Sequence, residues 1–289
     1  MHVKHIGVIT ILLASLMWAI EPILAKLSYQ NTDFLQTSLV RALFATLTAC
    51  VYIIVSKKAT IKITKQQLPP VVYIAIVGTI VADLIYFYAL TNVSVINAVL
   101  IGHMQPVFII VFGFLVFRSE KLMPMDYLGI FFLMLCGILV TSKTLDNIMM
   151  FRFGTFSDVM VLIATMAWAS AAIAMRKYLP TIHAATLTMY RFFIASVILL
   201  CYLSLSSTVY IANMYQVIVG IVVGIGTIFY YEGLKRLKAA QVSGIELTTP
   251  FFAAILGYGI LGESLTILQI IGMFFLLGGI YLISKRESK

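Results

Sequence analysis

The chain has 289 residues, of which 62% are hydrophobic and 11% are charged, and its net charge is +9. A soluble domain carries about 25% charged residues, so the composition excludes an ordinary soluble protein and predicts an integral membrane protein. The sequence contains no pattern typical of a metal or cofactor site, and we expect neither a metal nor a cofactor.

Ten apolar runs follow one another along the chain. A helix needs about 20 apolar residues to cross the core of a bilayer, and the runs are close to that length. They are continuously apolar rather than alternating, which excludes a β-barrel. We therefore predict an all-α membrane protein with ten transmembrane helices, over residues 6–28, 34–56, 70–91, 94–117, 125–142, 155–178, 184–206, 213–234, 240–262 and 265–284.

The basic residues are distributed unevenly between the two sides of the predicted bundle. If the N-terminus is cytoplasmic, fifteen Lys and Arg fall in cytoplasmic segments, and two, Lys143 and Arg152, fall in outer loops. This asymmetry predicts that both termini lie in the cytoplasm and that the protein resides in the cell membrane. The basic charge then reflects topology, with the lipid bilayer and not nucleic acid as the expected partner.

The second half of the chain repeats landmarks of the first. At an offset of 150 residues Trp18, Lys26 and Arg41 correspond to Trp168, Arg176 and Arg191. At an offset of 144, residues 86–108 align with 230–252. We predict two five-helix units, 1–145 and 146–289. Because five is odd, the second unit enters the membrane from the opposite side, and such inverted repeats are typical of transporters.

Each unit opens with Trp-Ala followed by a Lys or Arg, carries a proline in its fourth helix, and closes with Glu-x-Leu, at Glu120 and Glu263. A glycine follows each of these glutamates nine residues later. The pattern resembles the EamA family of the drug/metabolite transporter superfamily over nearly the whole chain. The resemblance implies a secondary transporter with a central cavity lined chiefly by helices 1, 3, 4, 6, 8 and 9. Many relatives are exporters, often proton-coupled, and their substrates vary widely.

Glu21 departs from the pattern of many relatives, which carry small or amide residues after the first Trp, and the second unit has no acid at the matching place. The neighbouring Pro22 lacks an N–H and is expected to break or kink the helix. Two interpretations stay open. The carboxylate could bind an ammonium group or a proton, or it could form a structural ion pair with Arg41, which lies at a matching depth. An ion pair that opens during transport would satisfy both.

Three further ionisable residues, Asp83, His103 and Glu246, are predicted to lie deep in the membrane and to face the bundle interior. Asp83 has no evident cation and is expected to exchange a proton. His103 and Glu246 occupy the repeat-related fourth and ninth helices, close to prolines that free backbone carbonyls. Gln105 is a further candidate for this polar face. Each could instead be a hydrogen-bonded packing residue. The prolines concerned are Pro106 and Pro250.

Five aromatic residues are candidate walls of the cavity, because aromatic faces hold cations or rings. Packing against lipid or other helices is the alternative for each of them. They are Trp18, Trp168, Tyr86, Tyr88 and Tyr230.

These patterns together predict a secondary transporter that exports small polar metabolites. Three of the four membrane-embedded candidates are acidic, which favours a substrate with an amine, such as an amino acid, and suggests proton coupling. An uptake permease for a salvaged nutrient is an alternative, because the fold does not fix direction. A membrane enzyme is disfavoured, because the loops are short and no catalytic motif is present. The sequence does not indicate an oligomeric state.

Overall fold

A computed structural model of the chain describes residues 3–56, 60–117, 124–178, 182–206, 208–237 and 239–284. These residues form helices and contain no strand. The helices, numbered in chain order, are α1 (Val3–Ser28), α2 (Phe34–Ser56), α3 (Leu68–Ala75), α4 (Ala82–Leu90), α5 (Val95–Gly102), α6 (Gln105–Phe117), α7 (Pro124–Ser142), α8 (Leu145–Met149), α9 (Phe156–Tyr178), α10 (Ala184–Ser206), α11 (Met214–Leu234), α12 (Ala239–Glu246), α13 (Thr248–Leu261) and α14 (Ile267–Ser284).

Eight stretches in the described part of the chain are long and apolar enough to cross a membrane. Two further apolar helices, Tyr127–Ser142 and Ile267–Ile283, are shorter. They correspond to the fifth and tenth segments predicted from sequence. The fold is thus that of a multi-pass helical membrane protein, as the composition predicted.

Three of the spans are irregular. A π-helical segment, Ile76–Val81, joins α3 to α4. His103 and Met104 separate α5 from α6, and Leu247 separates α12 from α13. Each interruption is followed by a proline in the first turn of the next helix. Backbone N–H groups in the first turn have no partner within the helix, so the proline costs no helical hydrogen bond there.

Pro22 behaves differently from these two prolines. It lies inside α1, which runs unbroken from Val3 to Ser28, so the chain does not show the helix break predicted there. A proline removes only one backbone hydrogen bond from a helix interior, and α1 packs along α11 and α13. This packing holds the helix together across the missing bond.

The helices of each half of the chain pack mainly against helices of the other half. α1 lies against α11 and α13, while α9 lies against α4, α5 and α6. α2 contacts α10 and α11, and α7 contacts α14. Glycines allow the closest approaches, as is common between membrane helices. A Cβ on Gly220 of α11 would lie 2.7 Å from the carbonyl oxygen of Arg41 on α2.

We predict that Gly220→Ala destabilises the protein by about 1–3 kcal/mol, because overpacking a tight contact forces the backbone to move. Besides the Arg41 carbonyl, the added methyl would lie 2.6 Å from the Cβ of Phe44. Thermal unfolding of the purified protein in detergent measures the effect.

Gly259→Ala is the matched control for this change. A Cβ at Gly259 meets no atom within 4 Å in the described residues, so the same substitution there should leave the unfolding temperature unchanged or slightly raised. An equal loss for both variants would contradict the importance of the α2–α11 contact.

Candidate functional site

A cavity of about 180 Å³ lies between the two halves of the bundle, and α1, α4, α5, α9, α11 and α12 supply most of its wall. The interrupted spans bring polar backbone and side chains into this wall. Most of the candidates from sequence line it together, namely Trp18, Glu21, Pro22, Arg41, Asp83, Tyr86, His103, Gln105, Pro106, Trp168, Tyr230 and Glu246.

Arg41 is the centre of a buried ion cluster beside the cavity. Its Nε and one terminal nitrogen lie 2.6 Å from Oε1 of Glu21. Its other terminal nitrogen donates to Oδ2 of Asp83 at 2.9 Å. The side chains of Arg41 and Asp83 are only 4% and 3% exposed. The ion pair expected between Glu21 and Arg41 is therefore present, and the expectation that Asp83 lacks a cation is wrong, because one guanidinium reaches both carboxylates.

The π-helical segment shapes the wall next to this cluster. The carbonyl oxygen of Gly78 accepts hydrogen bonds from Nε1 of Trp168 at 3.2 Å and from Arg191 at 3.1 Å. Trp168 also donates to Oδ1 of Asp83 at 2.7 Å, and Arg191 donates from Nε to the hydroxyl of Thr79 at 2.7 Å. π-Helical turns often occur at functional sites, and this one supplies polar acceptors that a regular helix would keep paired.

The two helix interruptions form a second polar region of the wall. His103 ends α5, and its Nδ1 lies 2.7 Å from the carbonyl oxygen of Val99. Glu246 ends α12, and within the described residues its carboxylate has no hydrogen bond or ion pair. Thr249, three residues later, is buried, and its hydroxyl also lacks a partner among these residues. This region therefore presents an acid and a hydroxyl that the protein does not satisfy.

The aromatic residues of the wall form two similar pairs. The rings of Trp18 and Tyr230 are 4.7 Å apart, and those of Tyr86 and Trp168 are 5.0 Å apart. Each pair joins one half of the chain to the other at a distance typical of favourable ring contacts. The paired rings bound the cavity on two sides.

Tyr88 does not line the cavity, contrary to the prediction. Its side chain is 41% exposed, and its ring packs edge-on against Phe34 with 5.3 Å between centroids. Successive residues of a helix are turned by about 100°, so Tyr86 and Tyr88 face nearly opposite directions. Pro250 is also outside the wall; it is buried in the first turn of α13.

One end of the cavity is closed by contacts around Glu263. Its carboxylate accepts the backbone N–H groups of Val95 at 2.8 Å and Ile96 at 3.2 Å and pairs with Nζ of Lys26 at 3.2 Å. These contacts join the end of α1, the beginning of α5 and the loop before α14. Arg176, at the end of α9, lines the cavity and is exposed.

Sequence reasoning did not identify Glu263 or Arg191 as part of this arrangement. Glu263 was recognisable in the sequence as the residue that closes the second unit in the Glu-x-Leu landmark. Its counterpart Glu120 lies outside the described residues. Arg191 was recognisable as the repeat partner of Arg41.

The comparison with known families agrees with this architecture. The model of the EamA-like transporter family matches residues 5–143 and again residues 155–285. The chain belongs to this family. This family is part of the drug/metabolite transporter superfamily.

Two curated relatives are also named as transporters. An uncharacterized transporter of Synechocystis sp. is 28% identical over 235 residues, which cover 75% of this chain and 66% of that protein. An uncharacterized transporter of Methanothermobacter thermautotrophicus is 23% identical over 217 residues, which cover 72% of this chain and 62% of that protein. The chain thus matches slightly less than two thirds of each relative. Neither name states a substrate.

A solved protein crystal structure resembles the chain along its full length. The TM-score is 0.68 at 14% sequence identity, and the match covers 98% of this chain and 99% of that chain. A likeness at this identity supports the fold alone.

We predict that Arg41→Gln destabilises the transporter by about 3–5 kcal/mol, because removing one partner of a buried ion pair leaves an uncompensated charge. Here it would leave Glu21 without a cation and Asp83 with only the more distant Arg191, at 3.6 Å. Thermal unfolding in detergent measures the loss. Arg152→Gln, which removes an exposed arginine, is the control and should change little.

The double variant Arg41→Gln with Glu21→Gln separates charge from packing. It should recover much of the lost stability, because Asp83 and Arg191 remain as a charge-balanced pair. A double variant less stable than Arg41→Gln alone would show that the cluster contributes chiefly through shape.

Proposed function

We propose that this transporter exports small polar metabolites that bear an amine, such as amino acids, across the cell membrane by alternating access. The observation that carries the proposal is the unsatisfied carboxylate of Glu246 in a cavity bounded by two aromatic pairs. A carboxylate and aromatic faces both attract an ammonium group. Glu21 and Asp83, which the sequence also favoured for this role, are paired with Arg41 and Arg191 and are weaker candidates.

We also propose that the chain forms two inverted five-helix units, residues 1–145 and 146–289, with ten membrane crossings. The packing of α1 on α11 is matched by the packing of α9 on α4, and the two Trp–Tyr pairs are matched in the same way. The family match in two halves supports the same division. In this arrangement α7 and α14 are the fifth helix of each unit, and they pack on each other.

The distribution of basic residues supports cytoplasmic termini. With that orientation α1 runs outward, so Lys26 and Glu263 lie at the outer end of the cavity and Arg176 lies at the cytoplasmic end. The cavity is then closed to the outside and open to the cytoplasm, which is the state that receives a substrate for export. Export itself rests on the family resemblance, because many relatives are exporters.

Proton coupling is assigned to Glu246 in this proposal. It stands at one helix interruption, with His103 at the repeat-related interruption and Arg176 at the cavity mouth. Arg176 is the charged group that acts on Glu246, but no ion pair in the described residues holds this acid, so it can exchange its proton for a cationic group of the substrate. Glu21 and Asp83 cannot do so without first leaving Arg41.

Ligand-induced thermal stabilisation of the purified protein tests the substrate class. A ligand present at 100 times its Kd stabilises the folded state by about 2.7 kcal/mol. We expect an amine-bearing compound from a panel of amino acids, polyamines, nucleosides and organic cations to stabilise the wild type but not Glu246→Gln. Thr248→Ala is the control. The Thr248 hydroxyl contacts no charged group in the described residues, and its hydrogen bond goes to the Ile245 carbonyl.

Stabilisation of both proteins by the same amine would contradict the role of Glu246. Uptake of the identified compound by inverted vesicles, driven by a proton gradient directed out of an acidic vesicle lumen and lost in Glu246→Gln, would support coupled export. Accumulation in intact cells instead would identify an uptake permease.

Opening of the closed end is tested by Glu263→Gln. We expect this variant to weaken the pairing with Lys26 and the contact with the N-terminus of α5, because the amide lacks the negative charge that both favour. A single cysteine placed at the cavity-lining position Ala98 should then react faster with a membrane-impermeant thiol reagent added from outside. The same cysteine in the otherwise unchanged protein is the reference.

The native cysteines, Cys50, Cys136 and Cys201, are first replaced by serine. Unchanged labelling in Glu263→Gln would show that these contacts do not hold the end closed.

A further inference from the structure

The segment that joins the two halves of the chain, residues 143–156, directs its large apolar side chains outward. We propose that this linker segment lies in the interface of the lipid bilayer, with its methionine and phenylalanine side chains among the acyl chains and its two basic side chains on the lipid phosphates. The inference goes beyond the proposed function and does not depend on the transported substrate. In the orientation proposed above, the leaflet concerned is the outer one.

Six large apolar side chains of the linker segment are exposed. Phe151 is 82% exposed, Met149 is 76% exposed and Phe156 is 73% exposed. The rings of Phe151 and Phe153 meet edge-on, with 5.9 Å between their centroids. A surface that faces water rarely carries a large group of apolar side chains, so the segment requires an apolar partner. The six residues are Leu145, Met149, Met150, Phe151, Phe153 and Phe156.

The polar side chains of the same segment find their partners within the protein. Asn147 donates from Nδ2 to the carbonyl oxygen of Ser142 at 2.7 Å, and its own N–H donates to the hydroxyl of Thr144 at 3.3 Å. The hydroxyl of Thr155 donates to Oδ2 of the buried Asp158 at 2.9 Å. The segment thus uses its polar groups on itself and directs its apolar groups outward, which is the reverse of a loop that faces water.

The backbone N–H groups of the segment are also bonded within the protein. Arg152 donates to the carbonyl oxygen of Asn147 at 2.8 Å, and Phe151 donates to that of Ile148 at 3.1 Å, so the end of α8 is closed. Backbone groups that enter a bilayer must be satisfied internally, because lipid chains offer no partner. The segment meets this condition at most of its positions. Further N–H groups with protein acceptors are those of Lys143, Thr144, Asn147, Ile148, Met150 and Thr155.

The backbone at Phe151 favours a residue other than phenylalanine. Its φ is 55°, in the left-handed region, just after α8, where glycine or asparagine usually ends a helix. Three residues later the same region is occupied by a glycine, Gly154, with a φ of 74°. A bulky side chain is unfavourable at positive φ, and backbone strain of this kind concentrates at functional positions. Contact of the exposed ring with acyl chains compensates for this strain.

Continuity with the membrane spans identifies lipid as the partner. α9 begins with the last residue of the linker segment and carries an exposed apolar stripe of Phe156, Val159 and Ile163. Their spacing places them on one face of the helix. On a membrane span such a face contacts lipid. The linker segment extends this lipid-facing surface beyond the end of the helix.

The charges of the segment fit a surface that carries phosphate groups. Residues 143–156 contain two cations, Lys143 and Arg152, and one acid, Asp146. Neither cation forms an ion pair or a side-chain hydrogen bond with the part of the chain that the structure describes. Basic side chains beside phenylalanine and leucine are typical of segments that lie in the membrane interface, because the long stems extend the charge toward the headgroups.

Collisions of a nitroxide spin label with two relaxing reagents test where the segment lies. The native cysteines are replaced by serine, and the label is attached to Met149→Cys or, as a reference, to Gln30→Cys. Gln30 is an exposed polar residue between α1 and α2, at the same end of the bundle. The protein is placed in vesicles of phosphatidylethanolamine and phosphatidylglycerol. We expect the ratio of relaxation by oxygen, which concentrates among acyl chains, to relaxation by a water-soluble nickel chelate to be several-fold higher at Met149→Cys.

The double variant Phe151→Asn with Phe153→Asn removes the two rings. With the label at Met149→Cys, it should lower the oxygen-to-nickel ratio to near that of the Gln30→Cys reference. Tryptophan at both positions should keep the high ratio. Asparagine tolerates the left-handed backbone, so the unfolding temperature in detergent should not fall, and a lower ratio then reports position and not unfolding.

The matched control is Tyr210→Asn with Ile211→Asn, which removes two adjacent exposed apolar side chains between α10 and α11. It should leave the ratio at the Met149→Cys label unchanged.

Equal ratios at the two labelled sites in otherwise unchanged protein would overturn the inference. Few collisions with either reagent at Met149→Cys would also overturn it, because they would show that protein, such as a second copy of the chain, covers the segment. A ratio that stays high after both phenylalanines are replaced by asparagine would refute the role of the two rings. All of these outcomes leave the proposed function standing, because none of them concerns the cavity.

Discussion

Two guanidinium groups, those of Arg41 and Arg191, compensate the carboxylates of Glu21 and Asp83 in the apolar interior, and this constraint ties the bundle together. A charge removed from water is strongly unfavourable unless a partner is held close. Because Glu21 is on α1, Arg41 on α2 and Asp83 on α4, these helices can pack only in arrangements that keep the three groups in contact. Trp168 adds α9 to the same cluster through Asp83. The cavity lies beside this fixed point, so its wall is defined by the same contacts.

The two halves of the chain supply similar landmarks but an unequal distribution of charge. Both arginines lie near the ring of Phe192, with Arg41 at 5.4 Å and Arg191 at 5.1 Å from its centroid. The carboxylates of the cluster, however, come from the first half alone. Arg41 contacts both carboxylates, whereas Arg191 reaches only Asp83, at 3.6 Å, and otherwise donates to neutral oxygens. The two halves therefore contribute unequally to the charges of the cavity wall.

The apolar runs were enough to place the membrane helices, because the hydrophobic length of a span is a local property of the sequence. They could not show the π-helical segment at Ile76–Val81, since it changes the register by one residue without an altered composition.

The pairing of Glu21 with Arg41 was among the expected alternatives because depth can be counted along each helix. The contact between Arg41 and Asp83 was missed, since it depends on how α2 and α4 are rotated about their axes. The prediction for Tyr88 was wrong for a related reason. Tyr88 is two residues from Tyr86, so the helix turns its side chain by about 200° and away from the cavity.

The different depths of the ionic contacts determine which of them can open. The pair of Lys26 and Glu263 is partly exposed, at 25% and 13% for the two side chains, and pairs that water can reach are worth little. Separating Arg41 from Glu21 or Asp83 would expose charges to an apolar interior at a much larger free-energy cost. A change between inward-open and outward-open shapes therefore breaks contacts at the ends of the cavity more easily than at its centre. The buried ion cluster is therefore the part of the cavity wall whose contacts are hardest to separate.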